Sequence, residues 1–157
     1  MLRFEALPAD EPPAADLLAA MVAEMAVLYG PIDQPGMPSA TPADFAPPGG
    51  TFLVGFDEEG TAVCGGGVKR LDDEAAEIKR MYVAPAVRRR GIARQLLAAL
   101  EDAARDLGYR VVRLDTGPLQ AQAQAIYEST GYRRIGNFNA NPVASYWGEK
   151  RLVPGEE

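Results

Sequence analysis

Residues 77–100 read EIKRMYVAPAVRRRGIARQLLAAL, and three kinds of local structure follow one another along them. Glu77 to Ala84 carries the strand formers Ile78, Met81, Tyr82 and Val83, and Pro85 stops the run because proline has no N–H to give to a sheet ladder. Val87 to Ala93 reads as a turn holding Arg88, Arg89, Arg90 and Gly91. From Ile92 the apolar positions Ile92, Leu96, Leu97, Leu100, Ala103, Ala104 and Leu107 recur every three or four residues, which predicts an amphipathic helix over 92–107. A strand, a basic glycine-containing loop and a helix N-terminus, in that order, make a place to hold phosphates. The N–H groups of the first helical turn have no intrahelical acceptor, and the macrodipole adds about half a positive charge there. Gly91 lets a ligand come close to the backbone.

At 157 residues the chain suits one domain spanning 1–157. Apolar residues make up 47% of it, yet no apolar run approaches the ~20 residues of a membrane span, so no membrane partner is expected. The first residues, MLRFEALPADEPP, lack a basic segment followed by an apolar core, so no signal peptide is expected and a cytoplasmic location is. The single Cys64 cannot form an internal disulfide, and with no histidine a zinc site, or any metal, is not expected. Lack of histidine also removes the usual base near neutral pH, leaving carboxylates, tyrosine, lysine, the cysteine or water. Cys64, in a Val-Cys-Gly-Gly strand, reads as a buried inert thiol with nothing to activate it. A net charge of −6 argues against nucleic acid as the main partner and favours a cationic one.

Along the chain, Leu2–Leu7 is a short strand. Ala14–Tyr29 is a helix with Leu17, Leu18, Met21, Val22, Met25 and Leu28 as its inner stripe, and Asp10 or Asp16 as its cap. Gly30–Gly50 is proline-rich and irregular, with a helical turn near Pro42–Phe45, and its length suits a lid. Thr51–Phe56 and Thr61–Leu71 are strands joined by the hairpin turn Asp57-Glu58-Glu59-Gly60, and Gly65–Gly67 let a neighbour or ligand come near. Gly108 caps the helix that starts at Ile92. Tyr109–Thr116 is a strand, Gln120–Thr130 a helix closed by Gly131, and Tyr132–Ile135 and Ala144–Leu152 are strands joined by an asparagine-rich loop.

The hexapeptide Arg88-Arg89-Arg90-Gly91-Ile92-Ala93 resembles the Gln/Arg-x-x-Gly-x-Gly/Ala loop of the GCN5-related N-acetyltransferases (GNAT family), which wraps the pyrophosphate of acetyl-coenzyme A. Its setting between a strand and an amphipathic helix strengthens the match. Tyr127–Tyr132 (YESTGY) resembles the family's Tyr-x-x-x-Gly-Phe/Tyr helix ending, and the likeness extends over roughly 51–152. It implies an α/β (α+β) acyl-CoA N-acyltransferase fold with a central mixed, mostly antiparallel sheet flanked by helices. It implies acetyl-CoA as co-substrate, bound through backbone groups of Met81, Tyr82 and Val83 and of the loop Arg88, Arg89, Arg90, Gly91, Ile92 and Ala93. Arg88 and Arg90 face the pyrophosphate in that reading, whereas Arg89 and Arg94 are surface. A backbone N–H near Met81 and Tyr82 would stabilise the thioester oxyanion. Where many members carry asparagine seven residues before the tyrosine, this chain has Gln120, the same amide on a longer arm.

Acetyl transfer to an alkyl amine meets a protonation problem. With a pKa near ~10.4, only about one molecule in a thousand is unprotonated at neutral pH, a handicap of ~4 kcal/mol. Glu77 stands fourteen residues before Gly91, the offset at which the family's histone acetyltransferases place a general base. It is otherwise a strand-end glutamate paired with Lys79, Arg80 or Lys69. Tyr127 matches the family's tyrosine beside the coenzyme sulfur. Its ordinary pKa makes it a weaker acid than a thiol by ~2 kcal/mol, which favours hydrogen bonding to the sulfur over full proton transfer. The alternative is a core tyrosine with a satisfied hydroxyl. Asn137, Phe138, Asn139 and Asn141, with Tyr146, border the family's acceptor cleft, either shaping recognition or serving as turn formers. The expectation is an N-acetyltransferase acting on a small primary amine or amino-acid-like acceptor by direct attack in a ternary complex. A protein lysine or N-terminal acetyltransferase, and a non-catalytic acyl-CoA sensor, are the alternatives, and a homodimer is left open.

Overall fold

The computed structural model describes residues 2–30 and 40–152. Its strands are β1 (Arg3–Ala6), β2 (Thr51–Phe56), β3 (Ala62–Arg70), β4 (Ala75–Val83), β5 (Val111–Thr116), β6 (Arg133–Arg134) and β7 (Tyr146–Arg151). The helices are α1 (Ala14–Tyr29), α2 (Ile92–Asp106) and α3 (Ala121–Ser129), with short 3-10 turns at Pro42–Phe45 and Pro85–Val87. The expected element order is found, including the turn at 42–45. Of the segment expected to act as a lid, residues 31–39 lie outside the described residues.

All strands belong to one sheet in the order β1-β2-β3-β4-β5-β7-β6. The first four are antiparallel neighbours in chain order: short turns join β2 to β3 and β3 to β4, whereas α1 lies between β1 and β2 along the chain. Between β4 and β5 the chain must cross back through α2, so this pair is parallel. The last strand, β7, inserts between β5 and β6 and runs antiparallel to both. The sheet is therefore mixed and mostly antiparallel, as expected.

One face of the sheet is covered by α2, whose Leu96, Leu97, Leu100 and Ala104 pack with Val68, Ile78, Val112 and Leu114 in one apolar cluster. A second cluster joins Ala14 and Leu17 of α1 to Phe45, Phe52 and Val54, with Phe45 edge-on to Phe52. The β3 glycines serve these clusters: a Cβ on Gly66 would stand 2.8 Å from Leu100, and one on Gly67 would strike the Phe45 ring. The close approach there is made by neighbours. Glu101 points inward from α2, accepts from the Tyr132 hydroxyl at 2.8 Å and pairs with Lys150 at 3.0 Å.

Two details of the helices differ from expectation. α1 begins after Pro13 without a side-chain cap, and Asp16 lies inside its first turn. Its stripe fades toward the end, where Leu28 is exposed, because only the first part lies on the second cluster. Gly108 and Gly131 do close α2 and α3, in left-handed conformation, with the next residue's N–H bonded back to Ala104 and Tyr127.

Candidate active site

The parallel pair β4–β5 is short. Ala75, Ala76 and Glu77 pair with Val111, Val112 and Arg113, after which β4 runs on to Val83 and β5 to Thr116 unpaired with each other. The cause lies on the opposite edge of β4. Its register with β3 steps from Lys79 opposite Gly67 to Tyr82 opposite Gly65, so Arg80 and Met81 share Gly66. Arg80 takes φ 63°, and a bulge of this kind bends its strand. The notch so opened is a cleft of about 160 Å³. Ile78, Lys79, Arg80 and Met81 line one wall, Asp115, Thr116 and Gly117 another, and Tyr127 stands on α3. Met21, Met25 and Tyr29 of α1 close its outer side.

At the end of β4 the chain reaches the arginine loop. Arg89 at φ 68° and Gly91 at φ 77° are both left-handed, and Gly91 is the residue from which α2 starts. A Cβ on Gly91 would meet nothing within 4 Å, so its requirement is conformational rather than spatial. The N–H groups of Ile92 and Ala93 begin α2 with no intrahelical acceptor, and Arg89, Arg90 and Gly91 are exposed beside them. Arg88 is placed differently from expectation. Its guanidinium binds the Val83 carbonyl at 2.9 Å and Glu24 of α1 at 2.7 Å, and lies over the Tyr82 ring. Two of its donor nitrogens are thus committed to tying α1 to the strand end, because Glu24 faces the loop across a gap the sequence does not show. Tyr82 itself packs against the α1-side cluster.

Tyr127 is buried, and its hydroxyl reaches Met81 Sδ at 3.8 Å, a weak acceptor. Its ring lies against those of Tyr132 and Tyr146. Burial first, and then the negative charge of Asp115, hold its phenol well above the ordinary tyrosine range. The residue remains a hydrogen-bond donor throughout the physiological range.

Glu77 is only 2% exposed and does not line the cleft. It pairs with Lys79 at 3.4 Å and accepts from Asn139 Nδ2 at 2.9 Å. The same Nδ2 reaches Asp115 Oδ2 at 2.6 Å, and Asn141 Nδ2 reaches that oxygen at 3.0 Å. Asn139 cannot be turned over without loss, since its Oδ1 accepts from Trp147 Nε1 and from the Asn141 N–H, both at 3.2 Å. In the asparagine-rich loop Asn137 is a turn former, accepting from the N–H groups of Asn139 and Ala140, while Asn139 and Asn141 reach across to β4 and β5.

Other expected site residues fall elsewhere. Phe138 and Asn137 are outside the cleft lining. Tyr146 is fully buried, and its ring stacks on that of Tyr127. Gln120 does line the cleft, with its side-chain oxygen within hydrogen-bond reach of the Gly117 N–H and the Tyr29 hydroxyl. Asp115 and Thr116 were not singled out from the sequence. Their signal is positional: they end the strand that is parallel to β4, and open α/β sheets bind ligands beyond such strand ends. The burial of Cys64 pushes its thiol up to about 11, in keeping with an inert cysteine. Among the described residues no helix is long and apolar enough to cross a membrane, and no group of His, Cys, Asp and Glu could hold a metal ion.

Comparison with known proteins agrees with this architecture. The family model described as Acetyltransferase (GNAT) family matches residues 18–132, and the chain belongs to that family. It is 32% identical over 94 residues to the uncharacterized N-acetyltransferase YjgM of Escherichia coli, covering 58% of this chain and 56% of the relative. The match spans about half the length of the curated relatives. A crystal structure of an acyl-CoA N-acyltransferase from Klebsiella pneumoniae superposes with TM-score 0.77 at 25% identity, covering 98% of this chain and 99% of that one. A GNAT acetyltransferase from Elizabethkingia anophelis with acetyl-CoA bound shares the fold at TM-score 0.69 and 17% identity, covering 96% and 97% of the two chains.

Proposed function

We propose that this protein is an acetyl-CoA-dependent N-acetyltransferase that acylates the primary amine of a small or amino-acid-like molecule by direct attack in a ternary complex. The observation that carries this reading is the splayed β4–β5 pair. It joins a helix N-terminus suited to a diphosphate to a cleft holding a buried tyrosine and a carboxylate. The Elizabethkingia protein of the same fold binds acetyl-CoA, which supports the choice of donor.

In the reaction the amine nitrogen attacks the thioester carbonyl carbon. The C–N bond forms, the C–S bond breaks, and the proton that the nitrogen loses passes through solvent to the departing thiolate, giving the free thiol. The main-chain N–H groups at Gly91, Ile92 and Ala93 hold the diphosphate, and the β4 edge from Met81 to Val83 holds the arm. A backbone N–H at Met81 or Tyr82 meets the oxyanion. Tyr127 donates to the departing sulfur; because its environment favours the protonated phenol, it acts as a donor that keeps its proton. Glu77, buried and bonded to Asn139, acts on the site through that amide without touching the acceptor.

The test is direct. Purified protein, acetyl-CoA and a panel of amines, amino acids and peptides are followed by thiol release and by product mass. Acetylation of a small amine, with one thiol released per acetyl group gained, supports the reading. Tight acetyl-CoA binding without turnover on any acceptor would replace it with a sensor.

A further inference from the structure

Lys79 stands apart from the other charged side chains of the cleft. On β4 it follows Glu77 by two residues, so both side chains lie on one face of the sheet, while Ile78 between them packs into the α2 cluster. Glu77 sits behind the cleft and Lys79 in its wall. Only 12% of the lysine side chain is exposed, and its Nζ meets Glu77 Oε2 at 3.4 Å. That is long for a charge-assisted hydrogen bond, which ordinarily spans about 2.7–2.9 Å. Among the described residues it is the one hydrogen bond this ammonium makes, although an ammonium carries three donors. The positive charge is thus mostly removed from water and loosely paired, a costly state that an anionic ligand would relieve.

The charge of the cleft as a whole points the same way. Its lining holds two cationic side chains, Lys79 and Arg80, against one carboxylate, Asp115, in a chain whose net charge is −6. Arg80 is not without a partner; the unfilled donors are those of Lys79. The coenzyme does not account for them. Its diphosphate would lie at the N-terminus of α2, beyond Val83, which is roughly 10–13 Å further along β4 than Lys79. The arm between diphosphate and sulfur carries no charge. An anion beside Lys79 therefore comes with the acceptor.

We propose that Lys79 binds the carboxylate of the acceptor, and that the acceptor is therefore a free α-amino acid. The proposal rests on the N-acetyltransferase reading above. Lys79 precedes Met81 by roughly 7 Å of strand, and in the mechanism above the thioester carbonyl is held beside Met81 and Tyr82. A lysine side chain spans that distance, so an amine one carbon from its carboxylate reaches the carbonyl while the carboxylate rests on Nζ. The ammonium keeps its contact with Glu77 and gives its remaining donors to the ligand. Lys79 thereby selects the acceptor and places its amine, and no bond to the lysine is made or broken.

The experiment pairs the charge on the protein with the charge on the ligand. Wild type and Lys79→Met, which keeps the apolar stem and removes the ammonium, are assayed with a panel of free α-amino acids and the corresponding α-carboxamides, which keep the shape and lack the anion. Wild type is expected to favour its best amino acid over the matching carboxamide by at least about tenfold in kcat/KM, and Lys79→Met to erase that preference, mainly through KM for the amino acid. Acetyl-CoA affinity should stay within about twofold, and Lys79→Arg should keep part of the preference. Loss of packing alone would lower both acceptors together and leave their ratio unmoved, and that result overturns the proposal. So does a wild type that prefers carboxamides or amines without a carboxylate. A preference for succinyl-CoA over acetyl-CoA that Lys79→Met abolishes would move the anion to the acyl group and overturn it likewise. If Lys79→Met does not fold because Glu77 is left unpaired, the same ratio is read in Glu77→Gln with and without Lys79→Met. A wild type that binds acetyl-CoA but acetylates no amine refutes the underlying reading, and is seen without any variant.

Discussion

Replacing Tyr127 with phenylalanine isolates a single hydroxyl. The ring contacts with Tyr132 and Tyr146, centroids 5.8 and 6.3 Å away, do not require the oxygen. Among the described residues that oxygen meets only the Met81 sulfur at 3.8 Å, a weak acceptor in a buried place. Its removal should therefore change folding stability by less than ~1 kcal/mol, and a slight gain is as consistent as a slight loss. During the reaction the hydroxyl faces developing negative charge on sulfur, and a hydrogen bond to a charged group contributes about 1.5–3 kcal/mol. The corresponding fall in kcat is about 10- to 150-fold. KM for acetyl-CoA should move little, since the interaction forms mainly in the transition state. Thiol-release kinetics and a urea titration on the same preparation supply both numbers. An unchanged kcat, or a stability loss above ~2 kcal/mol, would refute the assignment and return Tyr127 to the role of a packing residue.

Gly91→Val places a β-branched side chain at φ 77° in otherwise open space. The strain of roughly 1–2 kcal/mol should lower the melting temperature modestly, and acetyl-CoA binding by calorimetry should weaken by about tenfold or more. Normal binding would remove the loop from the site. Gly50→Ala tests the frame: its Cβ would run into the Asp44 carbonyl oxygen and stand 2.7 Å from that of Val68. Backbone cannot yield easily on both sides, so a loss of about 1–3 kcal/mol in urea unfolding is expected. Cys64 gives a pH test. Burial raises its thiol from 9.0 to about 11, so the folded state holds that proton longer than the unfolded state does. Its contribution is complete below pH ~9 and is lost as pH rises from there towards ~11, by roughly 2–3 kcal/mol. Unfolding free energies measured across that range should fall less steeply in Cys64→Ala than in wild type.

What the sequence determined by itself is local. The run of strand formers ending at Pro85, the periodic apolar positions from Ile92 and the glycines at 91, 108 and 131 depend on backbone sterics and on period, both readable residue by residue. So were the strand–loop–helix order around Arg88–Ala93 and the spacing of Tyr127 to Gly131. The tertiary structure decided which carboxylate the cleft presents and which arginine is already occupied. Glu77 and Asp115 lie on strands made neighbours by the α2 crossover, and the asparagine that joins them arrives from a loop set in place by the insertion of β7. Arg88 meets Glu24 only because α1 packs beside the end of β4. Contacts of this kind depend on strand order and register, to which helix and strand periodicity are indifferent. A bulge at Arg80 that opens the notch is likewise a property of two paired strands, and neither strand carries it alone.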